Sequence, residues 1–245
     1  PAVNAARAIA YQVQGAVSQL VGNFQLAMNP QIVKSYAAGD LEYMHNLIIR
    51  GSKLSFFLVF ILALPVSMEA EFLLSIWLKE VPTYATQFTI LVMALSCIDS
   101  FSGSLMVAAQ ASGKIKVYQS VVGGLLILNL PLSYVALKLG ADPMATMYVA
   151  ILISLVALYS RLRIITPLVG LKAKKFVSNS ILPSLMVATA SVAISLAIKH
   201  SLPRQSIYAS LLMLFCTVIT VVTFTTLFGL TKQERIFIKM KVLKR

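Results

Sequence analysis

A chain of 245 residues that is 58% hydrophobic, only 12% charged and has a mean hydropathy of +0.85 is too apolar for a water-soluble domain, which carries about a quarter of its residues as charges. The formal charge of +13 does not point to nucleic acid, because the Lys and Arg side chains sit in short connections between apolar runs and form no basic surface interleaved with aromatics. Cys97 and Cys216 lie inside apolar runs with no His or second Cys nearby, which argues against a metal site and predicts free thiols.

The recurring apolar runs predict an all-α integral membrane fold with about seven transmembrane helices, at 3–28, 54–77, 84–111, 117–137, 144–166, 181–198 and 207–228. The first span is only moderately apolar. Asn4, Arg7, Tyr11, Gln14, Ser18, Gly22, Gln25 and Asn29 recur along it at steps of three and four, which keeps them in one narrow stripe. Such a stripe is costly against lipid. It therefore faces either a water-filled cavity or a dry seam between helices, with Ile9, Val13, Leu20 and Phe24 on the other side.

Pro30 is expected to end that span. AAGD at 37–40 reads as a turn in which Gly39 takes a positive φ and Asp40 caps the next helix. Leu41, Met44, Leu47 and Ile48 then share one face, so that 29–53 is expected to form a polar connection holding a short helix along the membrane surface; a plain solvated connector is the alternative. Pro65 in the second span and Pro131 in the fourth are expected to kink them. Glu69, Glu71, Trp77 and Tyr84 gather where the second span meets the third, the aromatics suiting a membrane interface.

Asp99 is the only acid well inside a span, on a face with Gly103, Met106 and Gln110 and beside Ser100 and Ser104. A carboxylate at that depth is protonated, paired or titrating; it is either a coupling residue or a hydrogen-bonded strut between helices. His45 and His200 stand alone in expected loops, and no catalytic set, Walker loop or GxGxxG is present. No catalytic residue, metal or cofactor is expected.

Orientation follows the basic residues. Sixteen of the 21 Lys and Arg fall in 29–53, 112–116, 161–180 and 229–245, against four (Lys79, Lys138, Lys199 and Arg204) in the opposite connections. The first set, including Arg161 and the tail with Lys232, Lys239, Lys241, Lys244 and Arg245, is expected on the cytoplasmic side.

A span closing on NPQIVKSYAAGD (29–40) and followed by an amphipathic helix resembles the loop after the second helix of each lobe in the polysaccharide flippases of the MOP superfamily, relatives of the multidrug and toxin extrusion transporters. VPTYA (81–85) resembles that family's outer turn, although Lys79 and Glu80 stand where a Gly is usual, and AAQASGKIKVYQS (108–120) resembles its short inner turn. The resemblance covers most of the chain and rests on turn chemistry. It implies that the seven spans correspond to helices eight to fourteen of a two-lobe transporter. Residues 1–170 are then a partial C-terminal lobe of five helices, and 171–245 two additional helices with a basic tail. The chain, which opens at Pro1, is expected to follow an N-terminal lobe of the same protein.

The activity so implied is translocation of undecaprenyl-diphosphate-linked oligosaccharide units across the bacterial inner membrane for O-antigen or capsule synthesis. Its cavity residues would be Asn4, Arg7, Tyr11, Gln14, Ser18 and Gln25, with Asp99 as the coupling candidate. Arg7 would hold the diphosphate, since a planar guanidinium donates two hydrogen bonds to phosphate and stays charged; snorkelling to lipid phosphates or pairing with Glu69 or Glu71 are its alternatives. A drug or cation antiporter of the same superfamily, a membrane-embedded glycosyl polymerase or ligase, and a structural membrane subunit are competing readings. The short far-side connections weigh against the polymerase.

Overall fold

The computed structural model describes residues 2–201, 206–231 and 234–235. Among the described residues every regular element is helical. The helices are α1 (Ala2–Ala37), α2 (Leu41–Met68), α3 (Ala70–Trp77), α4 (Ala85–Asp99), α5 (Ser102–Ala111) and α6 (Ile115–Ile127). They continue with α7 (Asn129–Lys138), α8 (Ala145–Val169), α9 (Ala173–Phe176), α10 (Leu182–Ser201) and α11 (Ile207–Phe224). Paired segments run on as single spans: α4–α5, α6–α7, and α9–α10 through a π-helical turn at Val177–Ile181. Six of the resulting helices are long and apolar enough to cross a membrane, and α1 matches them in length while its polar stripe lowers its hydropathy. The protein is an all-α, multi-pass membrane protein.

Three expectations for 29–53 are corrected. Pro30 does not end the first helix: α1 runs through it to Ala37. A proline removes one backbone bond, and the buried Ile32 and Ser35 beyond it hold the last turns in place. No surface helix follows. α2 is continuous from Leu41 to Met68, and Met44, Leu47 and Ile48 are buried in the bundle. Nothing between Gly51 and Leu54 breaks the helix, and Gly51, Ser52 and Lys53 are themselves buried. The turn itself is as expected, with Gly39 at φ +75° and Asp40 accepting a bond from the Tyr43 amide at 3.0 Å.

The basic residues need a second correction. Lys53 and Arg161 lie on the packed faces of helices and not in loops, and His45 is helical, its ring nitrogen 2.7 Å from the Val169 carbonyl. Arg204, Lys232, Lys239, Lys241, Lys244 and Arg245 lie outside the described residues. The contacts nonetheless fix which turns share an end of the bundle. His45 joins the start of α2 to the end of α8, and Arg50 and Lys53 meet Glu234 beyond α11. At the far end Lys199 pairs with Glu69 at 3.4 Å. The expected alternation of spans therefore holds.

Irregularities follow the prolines and serines. The break at Leu128 lies three residues before Pro131, whose missing N–H leaves the Ile127 carbonyl free. The π turn at Val177–Ile181 ends two residues before Pro183. α2 ends at Met68, three residues after Pro65, and α3 starts again at Ala70, which splits the expected second span. α4 is interrupted at Ser100–Phe101, where the Ser100 hydroxyl donates to the Cys97 carbonyl at 2.7 Å and competes with the helix ladder.

α1 packs on α2, α4 and α5, α8 on α4 to α7, and α10 and α11 on α2 and each other. One apolar cluster centres on Phe56, Phe60 and Phe101, with Phe56 stacked 5.0 Å from Phe101 and 5.4 Å from Phe60. A second contains Val17, Val21, Val59, Phe88 and Met147. Cys97 packs against both. The polar site lies where the clusters meet. On α10 the buried Ser184, Ser191 and Ser195 let the neighbouring helices approach closely.

Candidate functional site

α1 buries Ala6, Ala10, Val17 and Val21, so its polar stripe falls at the edge of the contact with α4 and α5. Two of its amides cross to neighbouring helices. Gln14 Nε2 donates to Ser96 Oγ at 3.0 Å, and Gln25 Nε2 to Ser55 Oγ at 3.2 Å. Between these bridges Ser18 and Gly22 face a cavity of about 270 Å³. α1 therefore carries hydrogen bonds to neighbouring helices at two points of the stripe and borders open space between them.

The opposite wall of the cavity comes from Ser96, Asp99, Ser100 and Gly103, and α2 supplies Val59. Gly103 lets the Gln25 amide approach closely: a Cβ there would meet that amide, the movable end of a side chain. Asp99 ends α4 and accepts a hydrogen bond from Ser154 of α8. Two turns further along α8, Arg161 donates to Ser102 at 2.7 Å, at the start of α5. The interruption of the third span is thus bracketed by α8 on both sides. From α2, Ser52 donates to the Phe101 carbonyl at 3.0 Å within the break itself.

The structure therefore brings together Gln14, Ser18, Gly22, Gln25 and Asp99 around one cavity. Asn4, Arg7 and Tyr11 do not line it. They lie towards the far end, where the half-buried Arg7 guanidinium stands 5.5 Å from the Tyr11 ring centre. Among the described residues Arg7 makes no ion pair, and the Glu69 carboxylate, one of its expected partners, is held by Lys199. Asn29 continues the stripe with its Oδ1 buried and unpartnered.

Arg161, expected in a connection, instead lies within α8 close to Asp99, behind the cavity wall. The signal was present, for Ser154 and Arg161 are seven residues apart and fall on one helical face. Beside Arg161 the Tyr118 hydroxyl is buried without a partner meeting hydrogen-bond geometry. A carboxylate and five hydroxyl or amide groups around open space, with Arg161 behind the carboxylate and outside the lining, can hold a polar solute or exchange a proton.

No protein-family model, curated protein or solved structure matches the chain.

Proposed function

We propose that the chain is the C-terminal part of a lipid-linked oligosaccharide flippase of the MOP superfamily, with 1–170 the partial lobe, 171–245 the additional helices, and the Lys/Arg-rich end in the cytoplasm of a bacterial cell. The reading rests on one observation above others. The polar stripe of α1 and the Asp99 face of α4–α5 converge on a cavity inside a membrane-spanning bundle, and an intramembrane polar cavity is the usual mark of a translocation path. Its amide and hydroxyl groups suit sugar hydroxyls, which exchange hydrogen bonds with such groups at little net cost. Arg7, seven residues from Gln14 and so roughly 10 Å along the helix, would meet the diphosphate at the rim and not within the cavity.

One observation favours a second reading. Asp99 lines the cavity whereas Arg7 and Arg161 do not, and a lining whose one charged side chain is an acid suits a cationic substrate, as in an antiporter.

Reconstitution of the full-length protein separates the two. Vesicles loaded with a fluorescent undecaprenyl-diphosphate oligosaccharide should show protein-dependent exposure of the label to an outside quencher, and no efflux of a cationic dye under a pH gradient. Efflux without flipping would replace the first reading by the second. In the same assay Asp99→Asn should alter the pH dependence of flipping if the carboxylate titrates. Unchanged flipping across pH would leave Asp99 as the strut that Ser154 binds.

A further inference from the structure

A second cavity among the described residues is larger than the one on the stripe. It opens at the far end of the bundle, has a volume of about 740 Å³, and lies where the end of α2 and α3 face α10 and the start of α11. We propose that it holds the headgroup of a zwitterionic phospholipid bearing a primary amine.

Depth is the first argument. Trp77 at the end of α3 and Tyr208 at the start of α11 are both well exposed, and aromatics of this kind settle at the headgroup level of a bilayer. The cavity between them is therefore at the height of phosphates and amines. Its floor is apolar, made by Phe72, Leu196 and Met213, which suits the glycerol and first methylenes of a lipid better than a free solute.

The rim carries both signs of charge. Lys199 is tethered from behind, its ammonium 3.4 Å from Glu69 and also donating to the Met68 carbonyl, yet it is still half exposed. It presents a fixed cation to a phosphate. Glu71 is exposed on the opposite lip and makes no ion pair or side-chain hydrogen bond among the described residues; it is free to accept from an ammonium group. Among the described lining residues, Glu69, Glu71 and Lys199 sum to one net negative charge. A purely anionic headgroup is therefore disfavoured, and a headgroup with its own cation is matched at both ends. A primary amine also donates hydrogen bonds that a quaternary amine lacks.

The site is independent of what the inner cavity carries. It is tested by native mass spectrometry of the full-length protein released from mixed vesicles of phosphatidylethanolamine, phosphatidylglycerol and phosphatidylcholine. Phosphatidylethanolamine should be retained preferentially. Glu71→Gln should weaken that retention about tenfold, the worth of one charge-assisted hydrogen bond, and Glu71 is exposed enough for the variant to fold. Lys199→Arg, which keeps both the charge and the Glu69 pair, should retain the lipid. Equal or better retention of phosphatidylglycerol, equal retention of phosphatidylcholine, or indifference to Glu71→Gln would overturn the proposal. Equal binding of water-soluble glycerophosphoethanolamine would also overturn it, by showing a solute site without a need for acyl chains.

Discussion

Lys53→Met is expected to unfasten the end of α11 from the bundle. Glu234 is 7% exposed, and its carboxylate accepts from Lys53 Nζ at 2.7 Å and from the Thr231 amide and hydroxyl at 2.8 and 2.9 Å, with Arg50 at 3.8 Å. Removing the lysine leaves a buried carboxylate with no buried cation against it, which costs roughly 3 kcal/mol when one partner of such a pair is lost. The measurement is hydrogen exchange at Thr231, whose amide is protected by that carboxylate; protection should fall by about a hundredfold or more. Lys53→Met combined with Glu234→Met removes the acceptor of the Thr231 amide, so its readout is the neighbouring Leu230 amide, which donates to the Thr225 carbonyl; protection there should fall in Lys53→Met and return in the double variant, since two apolar side chains need no counter-charge. Protection unchanged in Lys53→Met would show that the pair holds nothing.

The same clasp responds to acid. Burial alone would raise the Glu234 carboxyl, but the Lys53 hydrogen bond and charge together with the Thr231 bonds outweigh it and hold it below the usual carboxylate range. A depressed folded-state value stabilises the clasp above the ordinary carboxylate range and is lost as pH falls through the lowered one. Opening is therefore confined to strongly acidic solution.

Gly103→Leu should have the largest effect on activity. A Cβ at this position already meets the Gln25 amide, so a leucine must push Gln25 off Ser55 and fill part of a cavity of about 270 Å³. Overpacking of this kind costs about 1–3 kcal/mol, which a bundle of this size survives, while the space for a solute is gone. Flipping by the reconstituted full-length variant should fall at least tenfold at near-normal protein levels. Gly15→Leu, on α1 and with nothing within 4 Å of its Cβ, should transport normally. Equal loss in both variants would mean that a leucine in either helix, and not the cavity, is responsible.

The spans were legible because a run of some twenty apolar residues has few other homes, and the stripe on α1 was legible because its spacing keeps to helical steps. Turn chemistry was readable in AAGD, where Gly39 and Asp40 behave as their side chains require. What could not be read was which charges lie inside. Lys53 resembles a loop residue until Glu234, 181 residues away, is brought beside it. The tail did offer a hint: Thr231-Lys-Gln-Glu234 is a capping box, and such a box seats a glutamate whose charge then needs an answer. Pro30 misled for the opposite reason. Its local effect is real, but the burial of Ile32 and Ser35 decides the matter. Arg161 was hidden by its position near Pro167, through which α8 continues to Val169.

Accessibility of the α1 stripe tests the central claim, that the cavity between α1 and α4–α5 is a water-filled translocation path. In full-length protein with Cys97 and Cys216 replaced by alanine, single cysteines at Ser18, Gly22 and Leu20 would be treated in intact cells or vesicles with a small charged thiol reagent. Ser18 and Gly22 face the cavity, and Leu20 is on the other side of the helix, half exposed towards the surroundings of the bundle. The account predicts rapid modification at Ser18→Cys and Gly22→Cys, with loss of flipping on modification, and no reaction at Leu20→Cys, whose thiol is surrounded by lipid. Protection of Ser18→Cys and Gly22→Cys equal to that of Leu20→Cys would contradict it.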